Sequence, residues 1–362
     1  MTETTCLTCA YTGDIRWTDS NTSIGIQVGC SEGSVRRHRI HMGSGTHRRV
    51  RAEWEVLVDG KVQTLRSYRV TEDETPLLKH EDLLDALTGY SFQPAPSLAQ
   101  GESELLVVAD AQIGKAMEHA GGTRETLLRN RGCIDRAISR YALQRPAELF
   151  LADGGDGIEN CFNTSSQLAT NDLTVPDQIK TFRRMMLENI KRLLPYTDQL
   201  YYVAVPSNHG EARTAMKSSP WSSDADWGLH IQDTLEEVCI EANLPVKFIR
   251  PDPLEETAVY TTLDGTKVAM HHGHQAGTQT RVGAWVTGQD HGRRVGWDAD
   301  IWVLNHFHNP YFLTTGNGRS ILGTPSIEPG SLWYAKKTGE SSKPGMMAVT
   351  LANGSWSNYA IL

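Results

Sequence analysis

The sequence predicts an α/β layered fold over residues 103–362, and three observations predict it. Six short apolar runs have strand length: ELLVVAD, AELFLAD, QLYYVAV, VKFIR, KVAMHH and DIWVLNH. Amphipathic helical patterns stand between the first four of them, at TRETLLRNRGCIDRAISRYAL, VPDQIKTFRRMMLENIKRLL and WGLHIQDTLEEVCIEAN. The later part shifts to hairpin patterns, TAVYTTLDGTKVAMHH and AVTLANGSWSNYAIL. Buried strands that alternate with amphipathic helices must be covered by them, which gives layers.

Two smaller zones come first. Residues 1–44 are polar and end in a basic run, and IGIQVGCSEGSVRRHR resembles the turn and second helix of a helix-turn-helix unit. Gly29 sits in the predicted turn and Ser31 caps the second helix. Residues 45–100 hold AEWEVLVDGKVQTLRSYRV, where Asp59-Gly60 between two alternating runs signals a hairpin. A short helical piece, KHEDLLDALTGY, and a Pro-containing linker, SFQPAPSLAQGE, follow.

Composition narrows the class. A chain of 362 residues exceeds one small domain, and 39% hydrophobic with 22% charged residues is ordinary for a globular protein. No run of about eighteen apolar residues is present, which predicts no membrane association through a helix. The opening MTETTCLTCAYTGDIRW lacks an apolar run behind a basic head, so a cytoplasmic location is expected, that of the host cell if a phage encodes the chain. Six scattered Cys are then expected as reduced thiols. Cys6 and Cys9 have half a zinc-knuckle spacing, but Cys30 and a His such as His38 or His41 complete no standard pattern, and free thiols are the favoured reading. The net charge of −8 gives no global pull toward nucleic acid. Its distribution does: Gly33 to Arg51 carries six Arg, three His and no acidic residue.

Polar residues cluster just after the predicted strands, where open α/β folds hold ligands. The clusters are Asp110-Ala111-Gln112, Asp153-Gly154-Gly155-Asp156-Gly157-Ile158-Glu159-Asn160, Ser207-Asn208-His209, His271-His272-Gly273-His274 and Asn305-His306-Phe307-His308. Each alone has a plain structural reading, since an Asp after a strand is usually a helix cap and a lone His usually a satisfied core or surface group. The order of all five is what counts. In that order they resemble the calcineurin-like metallophosphoesterases, over about residues 104–330. The family's blocks stand here as Asp110-x-Gln112, Gly155-Asp156-x-x-Glu159, Ser207-Asn208-His209, His272-Gly273 and Asn305-His306-x-His308.

The resemblance implies a four-layer αββα sandwich and a pair of divalent metal ions. Asp110, Gln112 and His308 would bind the first ion, Asn208, His272 and His306 the second, and Asp156 would bridge them. Two cations about 3.5–4 Å apart clamp the attacking and leaving oxygens of a phosphoryl displacement and need a shared carboxylate. Mixed imidazole and carboxylate donors suit manganese first, or iron, zinc or nickel. His209 would protonate the leaving oxygen, and His274, at the pocket edge, is expected to contact substrate phosphate. His271 should point to the opposite strand face from His272. Gln112 stands where the family has His; a neutral amide oxygen predicts a weaker first position. Glu159 stands for Asp, and Ser207 and Asn305 stand for Gly.

The substrate reading rests on the basic segment. Arg36 and Arg37 at the start of the predicted second helix would meet DNA phosphates or guanine edges. A metallophosphoesterase with such a unit suggests a DNA nuclease, similar to the nuclease subunit of double-strand-break repair complexes and to small phosphoesterases of actinobacterial phages. A homodimer is compatible with it. Two other readings compete: a phosphodiesterase of cyclic or small nucleotides or a phosphoprotein phosphatase, and a DNA-binding protein with a degenerate domain. Arg281, Arg293 and Arg294 along a groove would favour a polymer; Trp285, Trp297 or Trp302 stacking on a base would favour a nucleotide.

Overall fold

The computed structural model describes residues 48–58, 61–70, 102–116, 121–162, 170–212, 224–329 and 343–362, with side chains from residue 102 onward. The chain divides between Thr75 and Pro76. In the first unit β1 (Arg48–Val58) pairs antiparallel with β2 (Lys61–Val70), Val58 opposite Lys61, with a bulge between Val50 and Ala52. These strands flank the predicted Asp59-Gly60 turn. That turn, residues 1–44 with Arg36, Arg37, Cys6 and Cys9, the piece KHEDLLDALTGY and residues 91–101 of the linker lie outside the described residues.

The second unit carries the layered fold. One sheet contains β3 (Ser103–Val108), β4 (Glu148–Asp153), β5 (Gln199–Ala204) and β6 (Val246–Ile249), all parallel. Its other edge is extended by the antiparallel pair β12 (Met347–Ala352) and β13 (Ser355–Ile361), in the order β13-β12-β3-β4-β5-β6. The second sheet has β7 (Ala258–Thr261), β8 (Lys267–His271), β9 (Ile301–Leu304), β10 (Tyr311–Thr314) and β11 (Ser320–Gly323), in the order β10-β11-β9-β8-β7. Within it β8, β9 and β11 run parallel.

Side-chain alternation along each strand builds three apolar layers. Leu106, Val108, Leu149, Leu151 and Tyr202 face α1 (Thr123–Gln144), α2 (Val175–Leu193) and α3 (Trp227–Glu241). Leu105, Val107, Phe150 and Val203 face the second sheet, meeting Tyr260, Met270, Ile301 and Val303. On that sheet's outer face Trp302, Leu304 and Ile321 pack with Val282 and Val286 of α4 (Val282–His291). Helices, sheet, sheet, helix: this is the expected αββα order. Pro176 in the first turn of α2 fits that position, because its missing N–H has no helical partner there. α3 starts at Asp226, whose carboxylate accepts from Gly228 N at 2.7 Å and Leu229 N at 3.2 Å.

Three elements have no counterpart in the sequence reading: α4, β10 and β11. The helix α4, VGAWVTGQDH, contains two glycines and two valines, poor helix formers, and is held by packing on Trp302. The strands are four residues each, too short to show a period.

Candidate metal centre

Five of the predicted clusters sit at the C-terminal ends of parallel strands: β3, β4 and β5 in one sheet, β8 and β9 in the other. The loops after β3 and β4 are zipped together by Asp110 N to Gly155 O at 3.0 Å and Gln112 N to Asp156 O at 2.8 Å. The sheets are joined across the site by His272 Nδ1, which donates to Gly154 O at 2.8 Å, and by His306 N, which donates to Asp110 Oδ2 at 3.2 Å. Gly155 has φ +90°, and a Cβ there would stand 2.7 Å from both His272 Nδ1 and Ser207 Cβ. Only glycine lets the loop pass under the imidazole. Ser207 and Asn305, where the resembled family has glycine, are struts. Ser207 Oγ accepts from Asp156 N at 2.8 Å; buried Asn305 accepts from Thr324 Oγ1 at 2.7 Å and donates to His271 O at 3.2 Å.

With Nδ1 committed to Gly154 O, His272 presents Nε2 to the centre. Three electron-pair donors surround that nitrogen: Asn208 Oδ1 at 3.1 Å, Asp156 Oδ2 at 3.2 Å and His306 Nδ1 at 3.2 Å. With the ring proton on Nδ1, Nε2 of the neutral imidazole is itself a lone pair, so these are lone pairs converging in a dry site, which is the donor set of a cation. Donor atoms of Asp156, His272 and His306 all lie within 4.8 Å of one another. The residues therefore fit a divalent ion at this position, and the imidazole–carboxylate–amide mixture suits manganese, iron, zinc or nickel. The electrostatics agree. Burial opposes charge on Asp156, yet His209, His272 and His306 outweigh it and hold its carboxyl well below the usual range. Burial pulls His272 down, but Asp156 and then Asp110 carry it up to about 9. Burial and the neighbouring His272 hold His306 down to about 4.

The first position is built differently. His308 Nε2 lies 3.3 Å from Asp110 Oδ1, and His308 Nδ1 lies 3.0 Å from Glu328 Oε1. Asp110 Oδ1 is buried without a hydrogen-bond partner. Burial opposes charge on His308, but Asp110 and Glu328 raise it to about 10; burial likewise opposes charge on Glu328, which His308 and Lys115 bring to about 2. The Gln112 Oε1 expected at this position accepts from Lys115 Nζ at 2.5 Å, and Lys115 Nζ also stands 3.0 Å from Glu328 Oε1.

His209 lies beside Asp156. Its N–H donates to Asp156 Oδ1 at 2.9 Å, and its Nδ1 is 3.0 Å from Glu159 O and 3.3 Å from Glu159 Oε2. This leaves Nε2 facing inward, 3.8 Å from Asp156 Oδ2. Burial lowers its pKa, but Asp156 and Glu159 outweigh burial, and the net shift is upward. His274 packs against His272 and His306 with ring centroids 5.6 and 6.2 Å apart, and its buried Nδ1 has no hydrogen-bond partner. His271 points to the other face, as strand alternation requires, and reaches Glu256 at 3.4 Å while packing on Trp285.

Sequence reasoning missed three residues here, and gave no role to a fourth, Asn160. Glu328 follows β11, itself unrecognised, so a sixth loop went unseen. Lys115 and Asp226 lie outside the family blocks; Asp226 accepts from Ser207 N at 3.0 Å and so holds the Asn208 loop. Asn160 closes the second loop, donating to His209 O at 2.8 Å. Trp302 is fully buried and Trp285 packs on it, so both belong to the core. Trp297 is exposed, with the Arg293 guanidinium 5.5 Å from its ring centre.

No family model matches this sequence, and no curated protein matches it. Solved structures do. A predicted phosphoesterase from Streptococcus pneumoniae is similar at 13% identity and TM-score 0.29, over 70% of this chain and 85% of that one. Vps29 complexed with zinc from Entamoeba histolytica is similar at 13% identity and TM-score 0.31, over 71% and 98%. A dimetal phosphatase from Danio rerio is similar at 8% identity and TM-score 0.32, over 69% and 93%. At such scores these likenesses carry no argument. The fold rests on the strand order and the three apolar layers, and the site on its own side chains. Among the described residues no helix is long and apolar enough to cross a membrane.

Proposed function

We propose that this chain is a metal-dependent phosphodiester hydrolase and that DNA is its substrate. One observation carries the hydrolase reading: Asn208, Asp156 and His306 converge within 3.2 Å of the inward nitrogen of His272, beside a second imidazole, His209, that is not needed as a ligand. A divalent ion there supplies a Lewis acid and a source of hydroxide near neutral pH. The chain's own part is to hold the phosphate between the two loop clusters and to deliver a proton from His209 Nε2 to the leaving oxygen. Burial opposes charge on His209, but Asp156 and Glu159 outweigh it and shift its pKa upward, the direction that favours the protonated ring a proton donor needs. Two ions, manganese first among Mn, Fe, Zn and Ni, belong to the same proposal, with Asp110, Gln112 and His308 facing the first ion.

The DNA reading is supported by the cationic run of residues 33–51, with Arg36 and Arg37 as phosphate or base contacts, and by the tryptophans. Two of the three that a base-stacking pocket would use, Trp285 and Trp302, are packed in the core. His274, with its unpartnered Nδ1, is the proposed phosphate contact at the edge. The test is incubation of the purified protein with linear single- and double-stranded DNA and manganese, beside Asp156→Asn. Cleavage by the native chain and none by the variant is expected. Intact DNA alongside cleaved bis-p-nitrophenyl phosphate would reject DNA and favour a small nucleotide.

A further inference from the structure

Resting on the hydrolase reading, one departure has a structural consequence at the first cation position. The family pattern asks for a ligand His at 112. Gln112 offers one oxygen, and that oxygen already accepts from the Lys115 ammonium at 2.5 Å. The same ammonium stands 3.0 Å from Glu328 Oε1, the carboxylate that also holds His308. Lys115 is largely enclosed, its side chain 13% exposed, and Glu328 is 2% exposed. The lysine is not there by side-chain drift. The turn that carries it is closed by Lys115 N to Gln112 O at 3.0 Å, and its backbone bridges to Asn171. Gly114 within the turn has φ +107°, and a Cβ there would strike the Gln178 side chain at 2.4 Å. The backbone thus aims the lysine at the ligand amide.

We propose that the Lys115 ammonium holds the first cation position of the substrate-free protein, so that only the Asp156–Asn208–His272–His306 position binds a divalent ion tightly. Elementary electrostatics supports it. Asp110 and Glu328 are buried carboxylates that require positive charge nearby. A lysine supplies one such charge as a fixed part of the chain. An ion sharing Gln112 Oε1 with that ammonium would meet a like charge at close range in a dry site, where repulsion is poorly screened. The two positions should therefore differ in affinity by about 100-fold, the upper end of the roughly 10–100-fold range over which neighbouring groups tune metal sites.

The experiment is a metal count on the full chain, made by elemental analysis and by calorimetric titration with manganese, with electron paramagnetic resonance as a second readout. The native protein is expected to hold one ion tightly per chain and to show an isolated-ion spectrum. Lys115→Met, and separately Gln112→His with Lys115→Gln, should each bring the second affinity within about tenfold of the first and produce an exchange-split pair spectrum. Two ions bound with similar affinity by the native chain would overturn the Lys115 assignment and leave the hydrolase reading intact. No ion bound at all would overturn both. If both variants fold, with native circular dichroism, and still hold one tight ion, Lys115 does not occupy the position and the assignment falls.

Discussion

Asp153 ends β4 directly behind the metal loop, and it is fully buried. Its oxygens accept from Gly155 N at 3.0 Å and from the Tyr202 hydroxyl at 3.4 Å. Burial, above all, raises its carboxyl from 3.8 to about 7. The sign follows from linkage. Below pH 4 the group is neutral in both states. Between pH 4 and 7 the unfolded chain ionises first, so stability falls as pH rises, and the full cost is present above 7. At about 1.36 kcal/mol per pH step over roughly three steps, the ceiling is ~4 kcal/mol. Asp153→Asn keeps the size and the oxygen for Gly155 N–H but cannot ionise. Asp226, also raised to about 7 by burial, stands in both proteins and largely cancels. The variant should therefore gain on the native protein by ~2–3 kcal/mol between pH 5 and pH 8.5. Urea denaturation of both proteins at the two pH values, with a chelator present, measures that difference. A stability gap that does not change with pH would refute the assignment of a raised, buried carboxyl at this position.

Two further outcomes concern the same loops. His209→Ala should lose about 10²–10⁴ in rate while metal content stays that of the native chain, because His209 is assigned the leaving-group proton and no ligand bond; metal loss on that change rejects the role. Gly155→Ala should destabilise the protein by about 2–4 kcal/mol, combining ~1–2 for a left-handed non-glycine residue with the cost of displacing His272 and Ser207. A melting temperature within about 1 °C of native, where a loss this large predicts several degrees, would show that the loop has another way through.

Much of the second unit was legible because its signals are local. Six strands, three helices and five loop clusters could be read from apolar runs and from short polar motifs that follow them. The fold's layers were legible for the same reason: strands such as ELFLAD and LLVVAD are buried on both faces and need cover on each. What escaped depends on contacts distant in sequence. The strand β11 exists because β9 and β10 pair with it on either side, and Glu328 acquires its role only when the chain after β11 returns to His308. Lys115 carries no local signal of its role, since its two partners, Gln112 and Glu328, are 3 residues and over two hundred residues away. Ser207 and Asn305 stand where the resembled family has Gly, and only the folded chain shows their side chains as hydrogen-bonding struts of the centre.

Backbone geometry explains why ligand order survived a change of ligand. Twelve non-glycine residues have positive φ among those described, and five are expected ligands: Asp110, Gln112, Asp156, His306 and His308. Each such residue stands to cost about 1–2 kcal/mol, and costs of this kind persist where surrounding structure overdetermines the conformation. Here it does. The paired loops after β3 and β4 fix Asp110, Gln112 and Asp156 by backbone hydrogen bonds that do not depend on the side chains. Position 112 thus keeps a strained, ligand-bearing backbone, φ +41°, under a side chain whose oxygen faces an ammonium. If glutamine had merely drifted into an idle loop, relief of that strain would be expected, and Gly or Asn would serve better there. The retained geometry means that Gln112→His asks for no backbone rearrangement. The change in metal binding that follows it, with and without the Lys115 ammonium, then measures the side chains alone.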